Sequence, residues 1–182
     1  QKEPIVLRHE GRADQARALI AFKGADFSDF RRARAQALAR ELLNLRMTDE
    51  IREKQGAAYS PDAFSEQSIA FPGFGFIAAY TETPPDLIGQ FYTTIDEITA
   101  ELREGRFEED LITRARKPLL ERLANSKKTN GYWAGQLVDA QTEPRRLPAL
   151  KSAEAEIASI TKAEIVAAAK EVFTPAQSIR IQ

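Results

Sequence analysis

Apolar residues along this chain change their period several times, and each change marks an element. Gln15–Lys23 is a short apolar run closed by Gly24, which reads as a strand. Ile5–Leu7 reads as another short extended piece. Ala25–Asp29 carries loop chemistry, with Ser28 or Asp29 able to cap the next element. From Phe30 the period lengthens. Phe30, Ala33, Ala37, Leu38, Leu42, Leu45 and Ile51 recur at three- and four-residue steps. That spacing predicts a long helix over Phe30–Lys54, with Gly56 as its left-handed terminator. Ala57–Ser68 then reads as extended, and Pro61 assigns it to a sheet edge or a bulge. Gly73–Glu82 is a second apolar strand, and Phe71-Pro72-Gly73 supplies the turn between the two. Together they predict an antiparallel hairpin.

The remainder is helical. Pro84-Pro85 opens a helix striped by Leu87, Ile88, Phe91, Ile95, Ile98 and Leu102, and Gly105 stops it. A third helix starts near Glu108 with Leu111, Ala115, Leu119 and Leu123 inward. Pro118 is expected to kink it, because proline removes a backbone donor and crowds the preceding turn. Asn130 to Ala140 reads as a further helix with Trp133 and Leu137 inward. Pro144 and Pro148 are expected to bound a loop. Short helices follow at Ala153–Ser159 and Lys162–Phe173, the second opened by the capping box Thr161–Glu164. Ser178–Ile181 is a closing strand.

Strands in hairpins and helices in a block predict an α+β fold: a two-layer sandwich with a mostly antiparallel sheet and helices packed on one face. The sheet is short of strands for so much helix, so a segment preceding Gln1 is expected to complete it in a longer parent. The first residue is Gln1, which reads as a processed or excised piece.

Composition narrows the function classes. At 182 residues the chain can bury roughly 70% of its unfolded surface, so its core needs no disulfide or metal. A net charge of -1 gives no electrostatic case for nucleic acid or an anionic membrane. No apolar run approaches the ~18 residues of a membrane span. The absence of cysteine removes thiolate chemistry and every Cys-based metal site. The single histidine, His9, has no second histidine to share a metal with, so it reads as an exposed residue before a strand. No nucleophile elbow or P-loop is present. Glu108-Glu109-Asp110 sits where a helix dipole favours negative charge. Arg145-Arg146 and Lys127-Lys128 read as surface charge.

One stretch stands apart: Ile51-Arg52-Glu53-Lys54-Gln55-Gly56-Ala57-Ala58-Tyr59-Ser60. Here a helix is expected to end and reverse at once into a strand. Such a corner can bring Arg52, in the last helical turn, beside Tyr59, in the first strand residues. The pair would offer a guanidinium fork and a phenolic hydroxyl to one ligand. The plainer alternative is a dipole-favoured arginine and a packed strand tyrosine.

The decapeptide closely resembles the Leu-Arg-Glu-x-x-Gly-x-Ala-Tyr-Ser signature in the C-terminal domains of pitrilysin/insulinase-type zinc metallopeptidases. Ile51 stands for the usual leucine. Arg52, Glu53, Gly56, Ala58, Tyr59 and Ser60 fit as they stand. Gln15–Phe22, Phe74–Thr81, Phe107–Leu111 and Asn130-Gly131-Tyr132-Trp133 resemble the family's flanking segments. The resemblance implies a fold of the mitochondrial-processing-peptidase type, with residues 1–182 as one C-terminal, substrate-binding domain. It implies that Arg52 binds a substrate backbone carbonyl and that Tyr59 hydrogen-bonds the scissile carbonyl or its oxyanion. It also implies that zinc is bound by another domain through a His-x-x-Glu-His motif absent here. No metal is expected in this chain, and no hydrolysis by it alone. The implied partners are a peptide or small protein substrate and an N-terminal zinc domain, in the same protein or a partner subunit. The implied setting is bacterial, the periplasm before the cytoplasm. A non-catalytic structural or regulatory member of the same family is the alternative, as is an unrelated α+β binding module.

Overall fold

The computed structural model describes Ile5 and residues 14–54, 61–138 and 140–182, without the side chains of residues 52–54. The expected extended piece at Ile5–Leu7 and His9 lie outside that range, apart from Ile5 itself.

Four strands form one sheet: β1 (Ala16–Lys23), β2 (Asp62–Gln67), β3 (Gly75–Thr83) and β4 (Ser178–Ile181). Their spatial order is β2-β3-β1-β4, and every pairing is antiparallel. The expected β2–β3 hairpin forms, with Ala63 opposite Ala79. Period-2 alternation sets the two faces of the sheet. Ala18, Ile20 and Phe22 of β1 and Ile77 and Ala79 of β3 turn inward and are buried. Arg17, Lys23 and Glu82 point the other way and are exposed.

The helices cover the inward face, as the α+β reading requires. They are α1 (Phe30–Met47), α2 (Ile88–Glu104), α3 (Glu109–Ser126), α4 (Asn130–Leu137), α5 (Arg146–Ser159) and α6 (Lys162–Val172). One core joins sheet and helices through Phe22, Leu38, Leu42, Met47, Ile95, Ile98, Ile112 and Phe173. Phe22 and Phe173 meet edge to face, with centroids 5.3 Å apart.

Local chemistry explains the boundaries. The Asp29 carboxylate accepts from Arg32 N–H and caps α1. Gly105, at φ 73°, ends α2 in the left-handed conformation that glycine adopts freely. Thr161 and Glu164 form the expected capping box of α6. Gly75 is forced by proximity: a Cβ there would sit 1.9 Å from the Ala25 carbonyl oxygen.

Several expectations are corrected. Trp133 and Leu137 were expected inward, yet they are 41% and 45% exposed. Helix α4 buries no residue, and the Trp133 indole N–H donates instead to the Lys127 carbonyl at 2.7 Å. The loop between Pro144 and Pro148 is instead the start of α5, a single helix from Arg146. Pro148 lies in its first turn, where a missing N–H costs nothing. The long first helix does not run to Lys54 in α winding. It changes at Thr48 into a π-wound turn, Thr48–Lys54. Helix α3 continues through Pro118 to Ser126.

Candidate functional site

The decapeptide begins in that π-wound turn. Thr48 marks the change of winding. Its N–H is shared between the Asn44 and Leu45 carbonyls, and its hydroxyl donates to the Asn44 carbonyl at 3.0 Å. A hydroxyl that bonds back into the preceding turn competes with regular helical bonding. Ile51 is buried in the core and anchors the turn. The main chain of Arg52 belongs to this turn. The Arg52 side chain and all of residues 55–60, including Tyr59, lie outside the described residues. The frame that carries them is described on both sides.

On the strand side, the Ala63 N–H donates to the Asn44 side-chain oxygen at 3.2 Å and to the Asp62 carboxylate at 2.8 Å. Arg40 donates to the Ala63 carbonyl at 3.4 Å. Side chains of α1 thus satisfy both backbone groups of a residue in the edge strand β2. On the helix side, Arg46 bridges Glu50 at 3.1 Å and Glu101 of α2 at 2.9 Å, all three partly buried. Arg114 of α3 lies 3.8 Å from Asp49. Glu41 accepts from Arg40 at 3.0 Å and from Arg122 of α3. The end of α1 and the turn that follows it therefore carry paired charges of both signs.

Elsewhere the charged candidates have structural partners. Glu108, Glu109 and Asp110 are exposed at the start of α3. Arg145 pairs with Glu143 at 2.6 Å, and Lys127 with Glu154 at 3.2 Å. Arg146, expected as surface charge, is partly buried and donates to the carbonyls of Gln136 at 2.7 Å and Gly135 at 3.0 Å. It holds the last turn of α4 against α5, where free carbonyls welcome a cation. Asp26 accepts from the Gly73 N–H, then from Ser28, and these donors hold its carboxyl well below the usual range. Among the described residues, no group of three or more His, Cys, Asp or Glu could hold a metal ion, so the donor set does not fit a zinc site there. Among them, no helix is long and apolar enough to cross a membrane.

A cleft of about 570 Å³ opens at the other end of α1, lined by Phe27, Arg34, Gln67, Leu123, Tyr132 and Leu150. Sequence reasoning did not find it, since its walls come from segments far apart along the chain. Arg34 is already engaged there by Glu156, by the Ser152 hydroxyl at 3.2 Å and by the Ala149 carbonyl.

No curated protein matches the chain. Among solved structures, a Helicobacter pylori protease superposes with a TM-score of 0.80 at 15% identity, covering 94% of this chain and 41% of its own. The peptidase M16 inactive domain from Pseudomonas fluorescens gives 0.78 at 19% identity, covering 92% and 40%. A candidate zinc protease from Bordetella pertussis gives 0.76 at 12% identity, covering 94% of each chain. The chain thus spans about two fifths of the first two, and at these identities the likeness concerns the fold. The family described as the peptidase M16 inactive domain matches residues 1–119, which takes in both strands of the hairpin, α1 and the whole decapeptide. This chain belongs to the peptidase M16 family, as its inactive domain.

Proposed function

We propose that this chain is the C-terminal, substrate-gripping domain of a bacterial zinc-dependent endopeptidase, and that it works opposite a zinc-bearing N-terminal domain. The observation that carries this reading is the Arg52–Tyr59 motif, which falls in the sequence between α1 and β2 of a chain belonging to an inactive peptidase domain family. The bacterial sources of the similar structures support a bacterial setting, and the periplasm is our preferred compartment.

The chemistry assigns each residue a task. Arg52 offers a planar, permanently charged fork to a backbone carbonyl of the peptide and fixes its register. Attack on a peptide carbonyl gathers negative charge on its oxygen. The Tyr59 hydroxyl donates to that oxygen, and a preorganised donor of this kind is worth about 10²–10³ in kcat. Zinc, held in the other domain, would supply the activated water. The test is Arg52→Ala in the full-length protein, assayed on fluorescein-labelled casein. KM is expected to rise with zinc content unchanged. A wild-type KM and kcat would contradict the role.

A further inference from the structure

We propose that the open face of the sheet is the surface on which the zinc-bearing domain docks, through an apolar patch of its own flanked by basic groups. This rests on the proposed partner domain and adds the place where the two meet.

The reasoning starts from the register. Helices take up the inward face of the sheet, and an outward face turned to water should carry polar side chains. Two apolar rows cross it instead. Tyr80, Leu19 and Ile181 stand side by side on β3, β1 and β4, and Phe64, Ala78, Ala21 and Ile179 form the neighbouring row across all four strands. The rings of Phe74, Phe76, Phe64 and Tyr80 continue the patch along the hairpin, each meeting the next edge-on with centroids 5.8–6.2 Å apart. Much of this surface is open: Ile179 is 64% exposed, Ile181 56%, Phe74 51% and Phe64 40%. A folded chain rarely leaves a broad contiguous apolar patch to water, and one rimmed by polar residues marks an interaction surface.

The rim says what fits. Asp62 and Glu66 flank Phe64 on the same side of β2, and Lys23 stands across Phe76 from Glu66. Among the described residues, none of these three charges has an ion-pair partner. Arg17, by contrast, is engaged by Glu82 at 2.5 Å and lies over the Tyr80 ring. A partner that covers the patch must therefore offer cations along β2 and an anion beside Lys23, because a charge buried without its counterpart is costly. A substrate peptide visits during turnover and leaves the patch wet between visits. A domain of the same protein covers it continuously, at the high effective concentration that linkage gives. The solved structures of this fold from Helicobacter pylori and Pseudomonas fluorescens are longer chains with room for such a domain.

The experiment places photoreactive p-benzoylphenylalanine at Phe64 of the full-length protein and, in a second variant, at Ile179, both exposed enough to accept it. After irradiation, the crosslinked peptides are identified by mass spectrometry. Both positions are expected to crosslink, within one molecule, to residues of the zinc-bearing domain. Crosslinks only to the residues before Asp14, to a second copy, or to casein when it is added would overturn the proposal, as would no crosslink from either position. Ile179→Asp puts an unpaired charge on the docked face. It is expected to speed tryptic cleavage between the domains roughly tenfold at unchanged zinc content, and a wild-type cleavage rate would likewise overturn the proposal. A full-length protein that holds no zinc and leaves casein intact would instead remove the catalytic reading of the partner domain, while the crosslinks still decide where that domain docks.

Discussion

Asn44 reaches from the last turns of α1 to the amide of Ala63, and its side-chain oxygen accepts that N–H at 3.2 Å. This one contact spans the segment that carries the family decapeptide. It joins the residue four places before the π turn to the second residue of β2. Asn44→Ala removes it while the Asp62 carboxylate still accepts the same amide at 2.8 Å. The expected loss is therefore modest, about 1 kcal/mol in urea unfolding. Exchange of the Ala63 amide should rise even where the midpoint moves little.

Phe173 closes the core behind β1, fully buried and edge-on to Phe22. Truncation leaves a cavity among side chains from the sheet and α6. Phe173→Ala is expected to cost about 3–5 kcal/mol. A denaturant midpoint unchanged from wild type would contradict the packing described.

Two glycines should respond in opposite directions. Gly75→Ala would drive a methyl to within 1.9 Å of backbone at Ala25, which has no rotamer to escape into. It is expected to destabilise by more than about 3 kcal/mol, beyond ordinary overpacking. Gly89 lies in the first turn of α2, and a methyl group added there would meet nothing within 4 Å. Gly89→Ala is expected to stabilise by about 0.5–1 kcal/mol, because alanine loses less backbone freedom on folding. Paired thermal melts check both signs.

Glu164 links α6 to α1. Arg31 donates to it at 2.6 Å, and the Thr161 N–H and hydroxyl each donate at 2.8 Å. The Arg31 hydrogen bond first, then those of Thr161, lower its pKa from 4.5 to about 2. A carboxylate lowered on folding adds stability that is fully present above 4.5 and is lost as pH falls toward 2. Glu164→Gln keeps a capping-box partner and loses the charge. The gap in urea midpoint between wild type and Glu164→Gln should be constant from pH 7 to 5 and should narrow between pH 4.5 and 2. A gap that persists at pH 2 would contradict the assignment.

Much of this fold is legible where local chemistry and tertiary packing agree. The Thr161–Glu164 box and Gly105 each act within one turn, the stripe of α2 stays on one face of one helix, and the structure keeps all three. Legibility fails where the neighbour decides. Helix α4 has apolar residues at helical spacing, but it lies at the rim of the fold and buries none of its residues, so Trp133 and Leu137 stay exposed. Pro148 looks like a breaker in sequence and is harmless in the first turn of α5. The change of winding at Thr48 follows no apolar period, so the sequence reads as one continuous helix there. For the site, the sequence names Arg52 and Tyr59, while the ion pairs at the end of α1 that precede them emerge only in three dimensions.

The rate of peptide hydrolysis by full-length Tyr59→Phe, measured against wild type at matched zinc content, bears most directly on a phenol that stabilises the reacting carbonyl oxygen. Loss of that single hydroxyl is predicted to lower kcat by about 10²–10³ with KM little changed. A kcat equal to wild type would contradict the account.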